Sequence, residues 1–259
     1  MYFRNIVFAA LIVGTLAGLI LGAVQTFGVT PTILAAEVYE VAEPVVNALP
    51  EHHQQAAVEH NHNDHAQEIS TGGHEHSPDT WAPADGAERI FYTFVADILS
   101  GIGFALLLIS AMAFSGKAST KNSWLWGAAG FITFFVAPGL GLTPEIPGME
   151  AANLQGRQGW WLITVVLTAV GLGLIAFGQL NLKIGGLVLL LLPHILGAPL
   201  LEGTHGFNNP DQSAVAALKV LAEQFIHYTA IANAIFWLVL GVASAVVMKQ
   251  FGLLDDHPN

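Results

Sequence analysis

Between residues 52 and 76 the sequence places His52, His53, His60, His62, His65, His74 and His76 among the carboxylates Glu51, Glu59, Asp64, Glu68 and Glu75. Imidazole nitrogen and carboxylate oxygen are the donors that borderline divalent ions take, and neutral histidine is free to bind at pH 7. No lysine or arginine lies between Arg4 and Arg89, so a cation meets no fixed positive charge along this stretch. The chemistry these residues suit is capture of a transition metal; the plainer alternative is a polar connecting tract. Irregular spacing without cysteine defines no closed tetrahedral site, so the tract points to divalent metal without selecting one. Binding by such a tract weakens below about pH 6.5, as imidazole protonates.

A second set of donors borders the apolar runs. GVTPTILAAE and GLTPEIPGME align without gaps, matching Gly28, Thr30, Pro31, Ile33 and Glu37 with Gly141, Thr143, Pro144, Ile146 and Glu150. HILGAPLLEG is a looser third copy with Gly197, Pro199 and Glu202. Proline after a helix end is ordinary, because it cannot continue the helix, but this does not account for the glutamates. His194 and His205 flank the third corner, and Glu223 and His227 stand four apart, a spacing that shares one helix face. The expectation is one vestibule built from Glu37, Glu150, His194, Glu202, His205, Glu223 and His227. Glu40 and Glu43 are expected to face the same way on a short helix, and Arg157 has Glu145 or Glu150 as a counter-charge.

The elements that must position these donors are membrane helices. Of the 259 residues 53% are hydrophobic and 10% charged, a balance unsuited to a water-exposed surface. Six apolar runs of about 20 residues are long enough to cross a ~30 Å hydrocarbon core. They cover residues 6–27, 90–114, 124–142, 160–179, 184–201 and 225–248. The expected fold is all-α and polytopic, with about six transmembrane helices arranged as three repeated hairpins. Residues 1–28 form the first helix, 29–89 an external His-rich metal-capture loop, partly disordered, and 90–259 a bundle of about five helices. The first run is longer than a signal core of about 7–15 residues and lacks a good small-residue cleavage pattern, so it is read as retained. Asp97, about two turns into the second span, is a functional candidate because burying an ionisable group in lipid is costly. Trp160 and Trp161 are read as interfacial anchors.

Arg4, Lys117, Lys121, Lys183 and Lys249 fall on one side of a six-span chain and Arg89, Arg157 and Lys219 on the other. The larger group marks the cytoplasmic side, which puts both termini inside and the histidine loop outside. A net charge of −11 attracts cations and disfavours nucleic acid as a partner. Gly116-Lys117 lacks the upstream glycine and the following Ser/Thr of a phosphate loop, so no nucleotide site and no enzyme activity is read.

FRNIVFAALIVGTLAGLILG followed by TPTILAAEVYE, the GLTPEIPGM corner, RQGWW and PHILGAP together resemble the CbtA family of proposed cobalt transporter subunits. The resemblance implies a multi-pass inner-membrane protein that forms part of a cobalt uptake system; the donors read above leave Ni2+ or Zn2+ as neighbouring ions to Co2+, and no organic cofactor is expected. It also implies a small single-span partner subunit of the CbtB type. Two other classes fit some of the residues: a membrane metal receptor or sensor without flux, and a redox protein with His194 and His227 as axial haem ligands.

Overall fold

The computed structural model describes residues 2–39, 81, 83–199, 206–207 and 209–254. The order is α1 (Tyr2–Phe27), α2 (Val29–Glu37), α3 (Ala87–Ser115), α4 (Ser123–Phe131), a π-helical turn (Ile132–Val136), α5 (Ala137–Gly139), α6 (Leu154–Phe177), α7 (Leu180–Leu196) and α8 (Gln212–Gln250). Among the described residues there is no strand, and four helices are long and apolar enough to span a membrane: α1, α3, α6 and α8. The remaining two expected spans are the shorter α7 and the composite stretch from α4 through α5.

The packing follows membrane logic, in which small residues let backbones approach and large apolar ones face lipid. On α1, Ala10, Gly14, Ala17 and Gly18 are buried while Leu11, Ile12, Leu16 and Leu19 are exposed. A Cβ on Gly14 would fall on the backbone of Ile102, and one on Gly101 on the carbonyl of Gly14, so α1 and α3 meet at nearly bare backbone. The same device joins α4 to α8 through Gly127 and Gly241, and α6 to α7 through Gly171 and Gly186.

These contacts pair the helices differently from three successive hairpins. Only the first and second spans pack extensively as an expected pair; the third span packs on α8, and α6 and α7 form the other close pair. The cause is where the glycines face, since α7 and α8 share no comparable close approach. Phe104, Phe134, Phe236 and Trp237 fill the centre, with Phe134 stacked on Trp237 at 5.3 Å.

The π-helical turn has a local cause. Pro138 has no N–H and its ring crowds the carbonyl of Phe134, four residues back, so the helix widens there. The start of α8 is set by Asp211, whose carboxylate accepts from the Ser213 amide at 2.8 Å and from its hydroxyl at 2.8 Å. Those bonds hold the Asp211 carboxyl below the usual range.

Two contacts fix the register of α1 against α8. Asn5 Nδ2 donates to the Phe251 carbonyl at 3.1 Å, and Gly28 lies against the Tyr228 ring. Equal lengths of helix separate Asn5 from Gly28 and Tyr228 from Phe251, about 35 Å at 1.5 Å per residue. That is enough to cross a hydrocarbon core of about 30 Å and reach into the headgroup region. The first four or so turns of α8 therefore project past the bundle, at the end we term the rim; Asn5 and Phe251 lie at the other.

Candidate functional site

The rim is held by a small apolar cap. Ala36 of α2, Ile146 of the α5–α6 connection, and Leu218 and Phe225 of α8 are buried together, with Met149 and Phe207 against them. Met149 pairs with Phe207, and the Glu150 amide donates to the Gly206 carbonyl at 3.2 Å. Asn209 ties in α2 by donating to the Tyr39 carbonyl at 2.8 Å. The projecting turns of α8 are thus the post around which two connections are wrapped.

Beside this cap lies a cavity of about 410 Å³ that brings Glu145 and Glu150 from the α5–α6 connection together with Glu223 from α8. Arg157 from the first turn of α6 and Lys219, one turn before Glu223, also line it. Asn153 caps α6 by accepting from the Gly156 amide at 3.2 Å, which fixes the turn that presents Arg157. Arg157 Nη2 meets Glu145 Oε2 at 2.5 Å, so Glu145 is its counter-charge. Among the described residues no three His, Asp or Glu side chains are close enough to hold one metal ion between them. Carboxylates set apart around an open cavity do not form a closed cage for a fixed cation.

The other candidates lie elsewhere. Glu37 is gripped by Arg89 through two bonds, Nη2–Oε1 at 2.5 Å and Nη1–Oε2 at 3.0 Å. His227 is exposed on α8 and does not line the cavity that Glu223 lines. His194 stands edge-on to Trp160, with ring centres 6.1 Å apart. Trp160 is itself a structural wedge: its indole donates to the Pro193 carbonyl at 3.3 Å and its ring fills the space beside Gly141. His52, His53, His60, His62, His65, His74, His76, Glu202 and His205 lie outside the described residues, as do Glu40 and Glu43. Within the bundle, Asp97 faces α1 where Gly22 leaves room for it, and its Oδ2 is buried without a hydrogen-bond partner.

Glu145 and Lys219 were not among the residues singled out as donors. Both were traceable: Glu145 as a counter-charge for Arg157, and Lys219 because it precedes Glu223 by four residues and so shares its face.

Comparison with known families bears on the membrane bundle as a whole. The family model described as "Probable cobalt transporter subunit (CbtA)" matches residues 3–249, nearly the whole chain. The chain belongs to the CbtA family. No curated protein and no solved structure gives a significant match. The CbtA description, a probable cobalt transporter subunit, supports metal transport. The word subunit implies that a further chain completes the CbtA transporter.

Proposed function

We propose that this CbtA chain takes up Co2+ across the inner membrane, together with a small single-span subunit of the CbtB type. Both termini are cytoplasmic and the rim faces outward. The histidine tract at 52–76 raises the local concentration of the ion, and the rim cavity takes it next. The observation that carries this reading is that Glu145, Glu150 and Glu223, from two separate elements, line one open cavity at the rim of a membrane bundle. Pro199 and Gly206 also line that cavity. Carboxylate oxygens replace part of the hydration shell without closing around the ion, which keeps release possible. Such donors do not choose cobalt by affinity, because nickel and copper bind nitrogen and oxygen ligands more tightly; Ni2+ and Zn2+ are therefore competitors.

The test is uptake of radioactive cobalt by cells lacking their own cobalt importers, expressing the chain with and without the small partner. Uptake is expected with the partner present. Glu150→Gln with Glu223→Gln abolishes it, whereas deletion of residues 52–76 chiefly raises the cobalt concentration required. If the protein reaches the membrane and binds cobalt but none accumulates, transport is refuted and a receptor or sensor role takes its place.

A further inference from the structure

Asp97 belongs to neither the rim cavity nor the Glu37–Arg89 pair. The acidic and basic residues of α3 are Glu88, Arg89 and Asp97, and the first two stand in its opening turn. Asp97 lies eight residues beyond Arg89, about 12 Å further into the span. The backbone of α1 is pressed against it. A Cβ on Gly18 would fall on the Asp97 carbonyl, and one on Gly22 would come within 3.2 Å of Asp97 Oδ2 and 2.9 Å of the Phe94 ring. The two glycines thus offer the carboxyl no side chain to bond, and Oδ2 is buried without a partner.

The ionisable groups of the neighbouring elements are remote. α3 packs on α1 and α8 and touches α4. Tyr2 and Arg4 of α1 lie at the opposite end, and α4 has no ionisable side chain. On α8, Lys219, Glu223, His227 and Tyr228 lie toward the rim and Lys249 near the far end. Because Tyr228 is level with Gly28, the turns of α8 level with Gly22 and Gly18 run from Ala234 to Leu238, all apolar. Arg89 is held by Glu37 and Asp85, Glu88 accepts from the Ala84 amide, and Tyr92 stands edge-on to Trp81. An ionised carboxylate so placed keeps its full desolvation cost, whereas a carboxyl that holds a proton does not.

One turn nearer the rim lies a cleft of about 70 Å³, lined by Thr26, Thr30, Arg89, Thr93 and Phe94 among others. It is large enough for water. The Thr26 hydroxyl donates to the Gly22 carbonyl at 2.8 Å, and the Thr93 hydroxyl to the Arg89 carbonyl at 2.9 Å. Each spends its hydrogen within its own helix and leaves its oxygen to accept, so the wall favours O–H donors. Phe94 borders both this cleft and the space over Gly22 that Asp97 Oδ2 occupies. Away from the rim the α1–α3 seam is sealed. Gly14 meets the backbone of Gly101 and Ile102, and Ala10, Ala105 and Ile109 are fully buried.

We propose that Asp97 is a proton-binding site within the membrane, exchanging its proton with the rim side through the threonine-lined cleft. The site goes beyond the metal reading, since its ligand is a proton and none of the rim-cavity carboxylates takes part. Dicyclohexylcarbodiimide, an apolar reagent, adds to a carboxyl in its protonated form, and mass mapping locates the adduct. The full chain is treated in sealed membrane vesicles with the pH of the two sides set separately. An adduct is expected at Asp97 and none at Asp85 or Glu88. It should fall roughly tenfold for each unit by which the rim-side pH passes the carboxyl's transition, and stay unchanged when only the other side is made alkaline. Asp97→Asn removes it, and Thr26→Val with Thr93→Val keeps it while weakening its response to rim-side pH. Absence of an adduct at every pH, or an adduct indifferent to pH on both sides, overturns the site. These two results come from the parent chain, so they stand even if Asp97→Asn fails to reach the membrane. An adduct that follows the other side's pH, or a threonine double variant that responds as the parent does, overturns the cleft as the route.

Discussion

Glu37 and Glu223 are both carboxylates at the rim, and their neighbours give them opposite uses. Glu37 receives two bonds from Arg89, so its oxygens are engaged in joining α2 to α3. Glu223 lines the rim cavity, and His227, one turn further along α8, does not. We therefore expect Glu223→Gln to raise the cobalt concentration for half-maximal uptake about tenfold, the loss of one good ionic contact. His227→Ala should change it by less than about twofold, and Glu37→Gln should leave uptake intact while costing about 0.5–1 kcal/mol of stability, as partly exposed pairs do. Uptake curves and thermal melting in detergent measure these outcomes; a larger effect of His227→Ala than of Glu223→Gln would refute the assignment. The four-residue spacing of Glu223 and His227 was legible in the sequence and does place them near one face. What spacing does not encode is which part of that face the neighbouring connections enclose. Met149, Glu150 and Phe207 decide that, and each comes from a connection whose path no periodicity describes.

At the scale of elements, the spans were legible because length and hydropathy determine them. Residues 6–27 and 90–114 differ from α1 and α3 by at most four residues at either end. The start of α8 at Gln212 lies well before the apolar run at 225–248, because its first turns pack on protein at the rim and need no lipid-facing surface. Asp211 followed by Ser213 was the available signal for that start, an N-cap independent of hydropathy. Which helix pairs with which was not legible, since nearly every span carries several glycines and only the folded bundle shows which ones touch backbone. Two glycines test the observed pairing. A Cβ on Gly127 would strike the Trp237 carbonyl of α8, whereas one on Gly173 meets nothing within 4 Å. Gly127→Ala is expected to cost about 1–3 kcal/mol, as overpacking does. Gly173→Ala is expected to be neutral or to stabilise by up to about 1 kcal/mol through helix propensity. Equal melting temperatures for the two variants would contradict the α4–α8 contact.

Over the whole molecule, the bond from Asn5 to the Phe251 carbonyl joins the first and last helices at the end opposite the rim. Lys117, stacked over the Phe177 ring with Nζ 5.0 Å from its centre, brings the α3–α4 turn and the end of α6 to one place. Both pairs agree with the six-crossing path, in which the α3–α4 turn, the α6–α7 turn and the two termini share a side. The lysine and arginine distribution favours that side as cytoplasmic by five residues to three, a margin that orients the chain only in combination with its topology. The absence of cysteine permits a direct measurement. Lys121→Cys lies in the α3–α4 turn and Ala152→Cys in the rim cavity, so a membrane-impermeant thiol reagent added to intact cells should label Ala152→Cys and spare Lys121→Cys. After the cells are opened, both should label. The reverse pattern in intact cells would invert the chain, and the carboxylate cavity would then receive cations from the cytoplasm. The same helices would then describe an exporter's entrance instead of an importer's.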